Sequence, residues 1–135
     1  MTQRTGRCLC GAISYTLKSE PTMMAVCHCT HCQRQSGGVF STNIMIAEAD
    51  YTQSGETKVY RDKGDSGQAV WRHFCGECGS PILSKVGAMP GMVIVKAGTL
   101  NDWSGLAPTI EVYTDHAAPW VTPVLHAHRF AQGAG

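Results

Sequence analysis

Cys8-Leu9-Cys10-Gly11-Ala12-Ile13-Ser14-Tyr15-Thr16-Leu17-Lys18 reads as a pair of metal ligands running directly into a strand. Ile13, Tyr15 and Leu17 alternate with Ser14, Thr16 and Lys18, the period of a half-buried strand. On extended backbone, residues two apart point to the same face, so Cys8 and Cys10 can offer both sulfurs to one ion. The same pattern of short, β-rich segments continues outward. Val39 to Ile46, Val59-Tyr60, Val70 to Phe74, Met92 to Leu100 and Ile110 to Tyr113 are rich in β-branched or aromatic residues. Gly, Pro and Asn/Asp punctuate the chain at short intervals, which is the rhythm of an all-β protein. Helix signals are weak. The best candidate is a short turn around Asn101-Asp102-Trp103-Ser104, where Asn or Asp could cap.

Two further cysteine clusters follow, Cys27-His28-Cys29-Thr30-His31-Cys32 and Cys75-Gly76-Glu77-Cys78. The second forms a tight turn in which Gly76 and Gly79 relieve the backbone, as suits a knuckle whose amides hydrogen-bond thiolates. A structural zinc site wants four ligands in a tetrahedron, and two pairs from distant parts of the chain cross-link a fold as a core does. Cys8, Cys10, Cys75 and Cys78 make the natural set, leaving Cys27, Cys29 and Cys32 as a trio from one short segment. Three protein ligands with a vacant fourth position describe a zinc site built for chemistry. Two other arrangements fit the spacing: one site from Cys8, Cys10, Cys27 and Cys29, or a redox dithiol at Cys75 and Cys78. A redox dithiol belongs at a strand-to-helix junction in a βαβ pattern, which the sequence does not show.

Composition bounds the context. The 135 residues are 43% hydrophobic and 16% charged, an ordinary globular balance with enough sequence for one core. A single zinc-binding domain over 1–135 is expected, with an Ala/Gly-rich tail frayed from about Ala131. The formal charge of +1 is spread without a basic stripe, which argues against nucleic acid. Met1 to Gly6 is polar and precedes no long apolar run, so neither a signal peptide nor a membrane span is expected. The expected location is cytoplasmic, where seven clustered cysteines are metal ligands or redox groups rather than disulfides.

Around the trio, His28 is expected beyond the ligand shell or exposed, and His31 is the better of the two as a fourth ligand but is not favoured. His73 is placed on a strand surface, and His116, His126 and His128 in solvent. Ser36-Gly37-Gly38 could form an anion-binding nest of free amides near the open site. Arg34 could clamp a substrate carboxylate in the same loop. Trp71, Trp103 and Trp120, with Phe74 and Phe130, are read as core or partly buried cover. Asp62 to Gly67 is read as an exposed polar loop.

Gly6 to Tyr15, the Cys-x-Cys-x-x-Cys at Cys27 to Cys32 with Gly37-Gly38 after it, and Phe74-Cys75-Gly76-Glu77-Cys78-Gly79-Ser80 occur in that order. Together with Val95 to Asp102 and Pro119-Trp120-Val121, they resemble the glutathione-dependent formaldehyde-activating enzyme family over nearly the whole chain. The resemblance implies a mainly β fold of the zinc-stapled β-tent type, with antiparallel sheets and little helix. It implies a structural zinc on Cys8, Cys10, Cys75 and Cys78 and a second, more labile zinc on Cys27, Cys29 and Cys32. The implied activity is that of a carbon-sulfur lyase, joining or splitting a glutathione-like thiol and a small aldehyde such as formaldehyde. Two other functions are open to such a chain: a zinc-stabilised protein-binding module without catalysis, which would close the second site and expose a large apolar patch, and redox sensing through a labile trio.

Overall fold

A computed structural model describes residues 3–133. The strands run β1 (Arg4–Arg7), β2 (Ser14–Leu17), β3 (Met23–Cys27), β4 (Ser41–Ala47), β5 (Tyr51–Ser54), β6 (Lys58–Lys63), β7 (Ala69–Phe74), β8 (Pro81–Val86), β9 (Met92–Lys96), β10 (Ile110–Val112) and β11 (His128–Arg129), with the helix α1 (Thr30–Ser36) between β3 and β4. They form a three-stranded sheet, β1-β2-β5, and an eight-stranded sheet, β11-β10-β3-β4-β9-β8-β7-β6. The fold is mainly β and largely antiparallel, as the sequence leads one to expect. The exception is β10, which runs parallel to both β3 and β11.

Alternation sorts the side chains between two chemically different faces. Ile13, Tyr15 and Leu17 from the small-sheet segment meet Ile44 and Ile46 of β4, Leu83 of β8, and Val93 and Val95 of β9 in one buried cluster. The small sheet approaches closely: Gly6 bridges Leu100, and a β-carbon on Gly6 would collide with the Tyr15 ring and the Thr99 carbonyl. Tyr15 also hydrogen-bonds the Thr99 hydroxyl at 2.6 Å. The opposite face of the large sheet is polar yet buried. Residues directly opposite each other on paired strands share a face, and Asn43 lies opposite Lys96, Cys27 opposite Ser41, and Arg72 opposite Ser84. All six are buried. A buried polar sheet face contributes little to the hydrophobic driving force, and its polar groups need partners.

Several local expectations are corrected. Cys8 and Cys10 do not lie on a strand: β1 ends at Arg7, and the pair sits in a turn closed by Cys8 N–H to Ile13 O at 3.0 Å and Gly11 N–H to Cys8 O at 3.3 Å. The Asn101 to Ser104 segment is not helical. Asp102 there accepts from the Ser104 amide at 2.9 Å, a local turn that competes with helix. The helix lies instead at Thr30–Ser36, where the sequence shows no apolar periodicity. It is made by its ends: the Cys29 sulfur accepts from the Cys32 amide at 3.2 Å, and left-handed Gly37 (φ 75°) closes it with its N–H on Gln33 O. Phe74 and Phe130 are partly buried as expected, whereas Trp71, Trp103 and Trp120 are exposed at 38%, 58% and 73% and take no part in the core. Asp62 and Lys63 belong to β6, not to a loop, and Asp62 is half-buried. At the C-terminal end the carbonyls of Ala131 and Gln132 accept from Asp115 and Tyr113, while positions 134 and 135 of the expected frayed tail lie outside the described residues.

Candidate metal centres

Two cysteine groups bring their sulfurs within 4.8 Å of one another: Cys8, Cys10, Cys75 and Cys78, and separately Cys27, Cys29 and Cys32. Among the described residues, no histidine or carboxylate joins either group. His31 is held by Asp62 at 2.8 Å, and His28 by Glu111 at 2.9 Å. Both groups fit a zinc ion by their donor chemistry. A tetrahedron with Zn–S bonds of about 2.3 Å has sulfurs about 3.8 Å apart, and Cys8–Cys10 and Cys10–Cys75 stand at 3.7 and 3.8 Å. Backbone amides point at the sulfurs as they do around bound thiolates: Ile13 N–H to Cys8 at 3.3 Å and Glu77 N–H to Cys75 at 3.4 Å. The Ser80 hydroxyl lies 3.2 Å from Cys78 and, with nearby amides, pulls that thiol down to about 5.

The four-cysteine group joins the turn after β1 to the knuckle after β7. The trio is local by contrast, with Cys27 ending β3, Cys29 capping α1 and Cys32 inside its first turn. Cys27 and Cys32 are buried while Cys29 is partly exposed. Hydrogen bonds from Cys27 and Cys29 hold the Cys32 thiol far below its ordinary range, against the opposing effect of burial and with help from the Lys96 charge and the Ser41 hydroxyl. The same hydrogen bonds push Cys27 up. Cys32 lies beside Ser41 and Lys96 of the polar face of the large sheet.

A buried ionic brace anchors this segment. His28 is 1% exposed, as is Glu111 on β10, and Glu111 also takes the Val124 amide and Arg129. Burial alone would raise the Glu111 carboxyl, but the Val124 amide, His28 and Arg129 hold it below its usual range. His28 is thus neither exposed nor a ligand. It ties the cysteine segment to β10. The sequence offers no signal for this pairing because 83 residues separate the partners.

Two cavities flank α1. One, of about 330 Å³, is bounded by Ser36, Phe40, Ser41, Thr42, Lys96 and the Ser80-Pro81 turn; the other, of about 640 Å³, includes His31, Arg34, Tyr60, Asp62 and Arg72. Arg34 and Ser36 therefore fall in the walls of different cavities. The amides expected to form a nest are engaged within the chain, Gly37 with Gln33 O at 2.9 Å and Gly38 with Ser36 Oγ at 3.1 Å. Asp62, expected at the start of an exposed loop, joins α1 to the sheet through His31 and Arg72, both at 2.8 Å.

Fold and site together define a class: mainly β proteins in which clustered cysteines form two groups able to hold metal. The sequence model of the family described as glutathione-dependent formaldehyde-activating enzyme matches residues 3–116, and the chain belongs to that family. A crystal structure of a Rhodobacter sphaeroides protein superposes with a TM-score of 0.57 at 19% identity, covering 77% of this chain and 91% of that one, a likeness of fold. No curated protein matches the chain. Among the described residues, no helix is long and apolar enough to cross a membrane.

Proposed function

We propose that this chain joins or splits a small thiol of the glutathione type and a small aldehyde such as formaldehyde, as a zinc-dependent carbon-sulfur lyase. Cys27, Cys29 and Cys32 would hold the reactive zinc, and Cys8, Cys10, Cys75 and Cys78 a structural one. The observation that carries this reading is the trio itself. Three sulfurs converge with no fourth protein ligand among the described residues, and cavities open on either side of the helix that bears Cys32. A zinc ion with a free position favours the thiolate form of a bound thiol and polarises a carbonyl oxygen.

The remaining work falls to the chain. In the joining direction the thiol S–H and the aldehyde C=O are consumed, a C–S bond forms, and the proton ends on the former carbonyl oxygen, with no change of oxidation state. The His28–Glu111–Arg129 brace keeps the ligand segment in place. Arg34, exposed in the wall of the larger cavity, is suited to an approaching carboxylate, and Ser36 supplies a hydroxyl to the smaller one. Such chemistry needs reduced cysteines and therefore suits the cytosol.

The test is to load the reduced protein with zinc and follow exchange between free formaldehyde, glutathione and their hemithioacetal by NMR. Faster exchange with wild type, and none above background with Cys29→Ser, is the expected result. Exchange that Cys29→Ser leaves intact would remove the trio from the chemistry.

A further inference from the structure

Lys96 ends β9 and is only 7% exposed, yet among the described residues its ammonium makes no hydrogen bond and no ion pair. A lysine so little exposed and lining a cavity is well placed to pair with an anion there. Two are available to it in principle. One is the thiolate charge of Cys32, Cys27 and Cys29, which only partly offsets the lowering of the lysine's pKa by burial and by Arg72. A metal ion on the trio would offset most of that attraction. The other is an anion entering the cavity that Lys96 itself lines.

The cavity favours the second. Its walls carry the hydroxyl-bearing residues Ser36, Ser41, Thr42, Ser80 and Thr99 around a single cationic side chain. At about 330 Å³ it lies at the lower end of small-molecule sites, roughly 300–1,000 Å³, and is roomier than a one-carbon aldehyde needs. Ser41 also stands beside Cys32, so the cavity and the trio share a wall. No other cation lines this cavity, and the glycine amides that could have held an anion nearby are already engaged.

We propose that this cavity is the carboxylate subsite for the thiol substrate, with the Lys96 ammonium as counter-charge and the hydroxyl-bearing wall as its polar surround. The inference rests on the thiol–aldehyde reading and specifies which thiols are taken: those carrying a carboxylate within reach of the sulfur. Lys96 acts as a specificity residue, selecting the thiol and setting its orientation.

The experiment compares 3-mercaptopropionate with 2-mercaptoethanol, thiols that differ by the carboxylate, in calorimetric titrations of the reduced, zinc-loaded protein. Wild type should bind mercaptopropionate about tenfold or more tightly, the range of a charge-assisted hydrogen bond. Lys96→Met should abolish the preference with zinc content unchanged, and Lys96→Arg should keep most of it. Equal binding of both thiols to wild type, or a preference that survives Lys96→Met, overturns the subsite and leaves the thiol–aldehyde reading standing. Loss of the second zinc from Lys96→Met would show that the lysine serves the cysteines instead, and also overturns it. If neither thiol binds wild type, the functional reading falls and the subsite with it. Acetate competition on wild type decides the matter without a variant: acetate should weaken mercaptopropionate binding and leave mercaptoethanol untouched, and failure to discriminate overturns the proposal.

Discussion

The two cysteine groups use the same ligand atom to opposite structural ends. In the four-cysteine group, Cys10 and Cys75 are 65 residues apart and their sulfurs 3.8 Å apart, so an ion there would close a long loop and join two regions of the chain. In the trio all ligands come from Cys27 to Cys32, and the backbone around them is already fixed by a helix cap and an ionic brace. The lesson is that ligand separation along the chain, more than ligand chemistry, decides whether a metal holds up the fold. A site whose ligands are held without the ion can surrender or exchange it and remain a site.

The strongest way to break that contrast is to remove one sulfur from each group. Cys75→Ser should cost a large part of the folding free energy, which for a chain of this size is about 5–15 kcal/mol, and urea unfolding should show little or no native baseline. Cys29→Ser should change stability by about 1 kcal/mol or less, because serine is itself a favoured N-cap and can take over the bond to the Cys32 amide. Comparable losses in both variants would erase the distinction. Elemental analysis during dialysis against a moderate chelator sharpens it further. Two zincs per chain are expected at the start, one leaving without loss of far-UV circular dichroism and the other leaving only as the fold is lost. Simultaneous release of both would mean that the groups are energetically one.

The brace supplies the next test. Glu111→Ala leaves His28 and Arg129 without their carboxylate, and losing a hydrogen-bond partner that carries charge costs about 1.5–3 kcal/mol. Urea unfolding of the zinc-loaded protein would measure that loss. Chelator titration should then show the trio's zinc released more readily while the four-cysteine zinc holds. An unchanged release profile would mean that the cap and strand alone position the trio.

How much of this was legible beforehand follows the distance over which each signal acts. The Ile13-Tyr15-Leu17 alternation marked the segment that became β2, and the Cys8/Cys10 and Cys75/Cys78 pairs and the trio stood out by local spacing, whereas the joining of the two pairs into one group was only one of the arrangements that spacing allowed. β1, β3, β5, β8 and β11 went unread, and so did α1, whose seven residues depend on a cysteine cap and a left-handed glycine rather than on amphipathic period. The His28–Glu111 and Asp62–Arg72 pairs and the buried lysine were invisible for a different reason. Each depends on which strands become neighbours, and no local pattern in a single sequence encodes that. The tryptophans misled because size was read as burial, whereas the core was completed by Ile, Val and Leu.

The smallest effect concerns Asp62, which fastens α1 to the far side of the large sheet. Burial pushes its carboxyl up, but His31, Arg72 and the Lys63 amide more than compensate and hold it down to about 2, against an unfolded value near 3.8. A depressed folded value means that the stabilisation is fully present above the unfolded value and is lost as pH falls through the folded one. With solvent screening, the contribution at neutral pH is about 1–2 kcal/mol. Asp62→Asn should therefore unfold at lower urea than wild type at pH 6, with the gap narrowing below pH 4 and closing toward pH 2. The four-cysteine zinc would also leave as acid protonates its thiolates, so the comparison is made between the two proteins at each pH, where that loss is common to both. A gap that stays constant from pH 6 to pH 3 would show that Asp62 holds α1 to the sheet through packing and not through its charge.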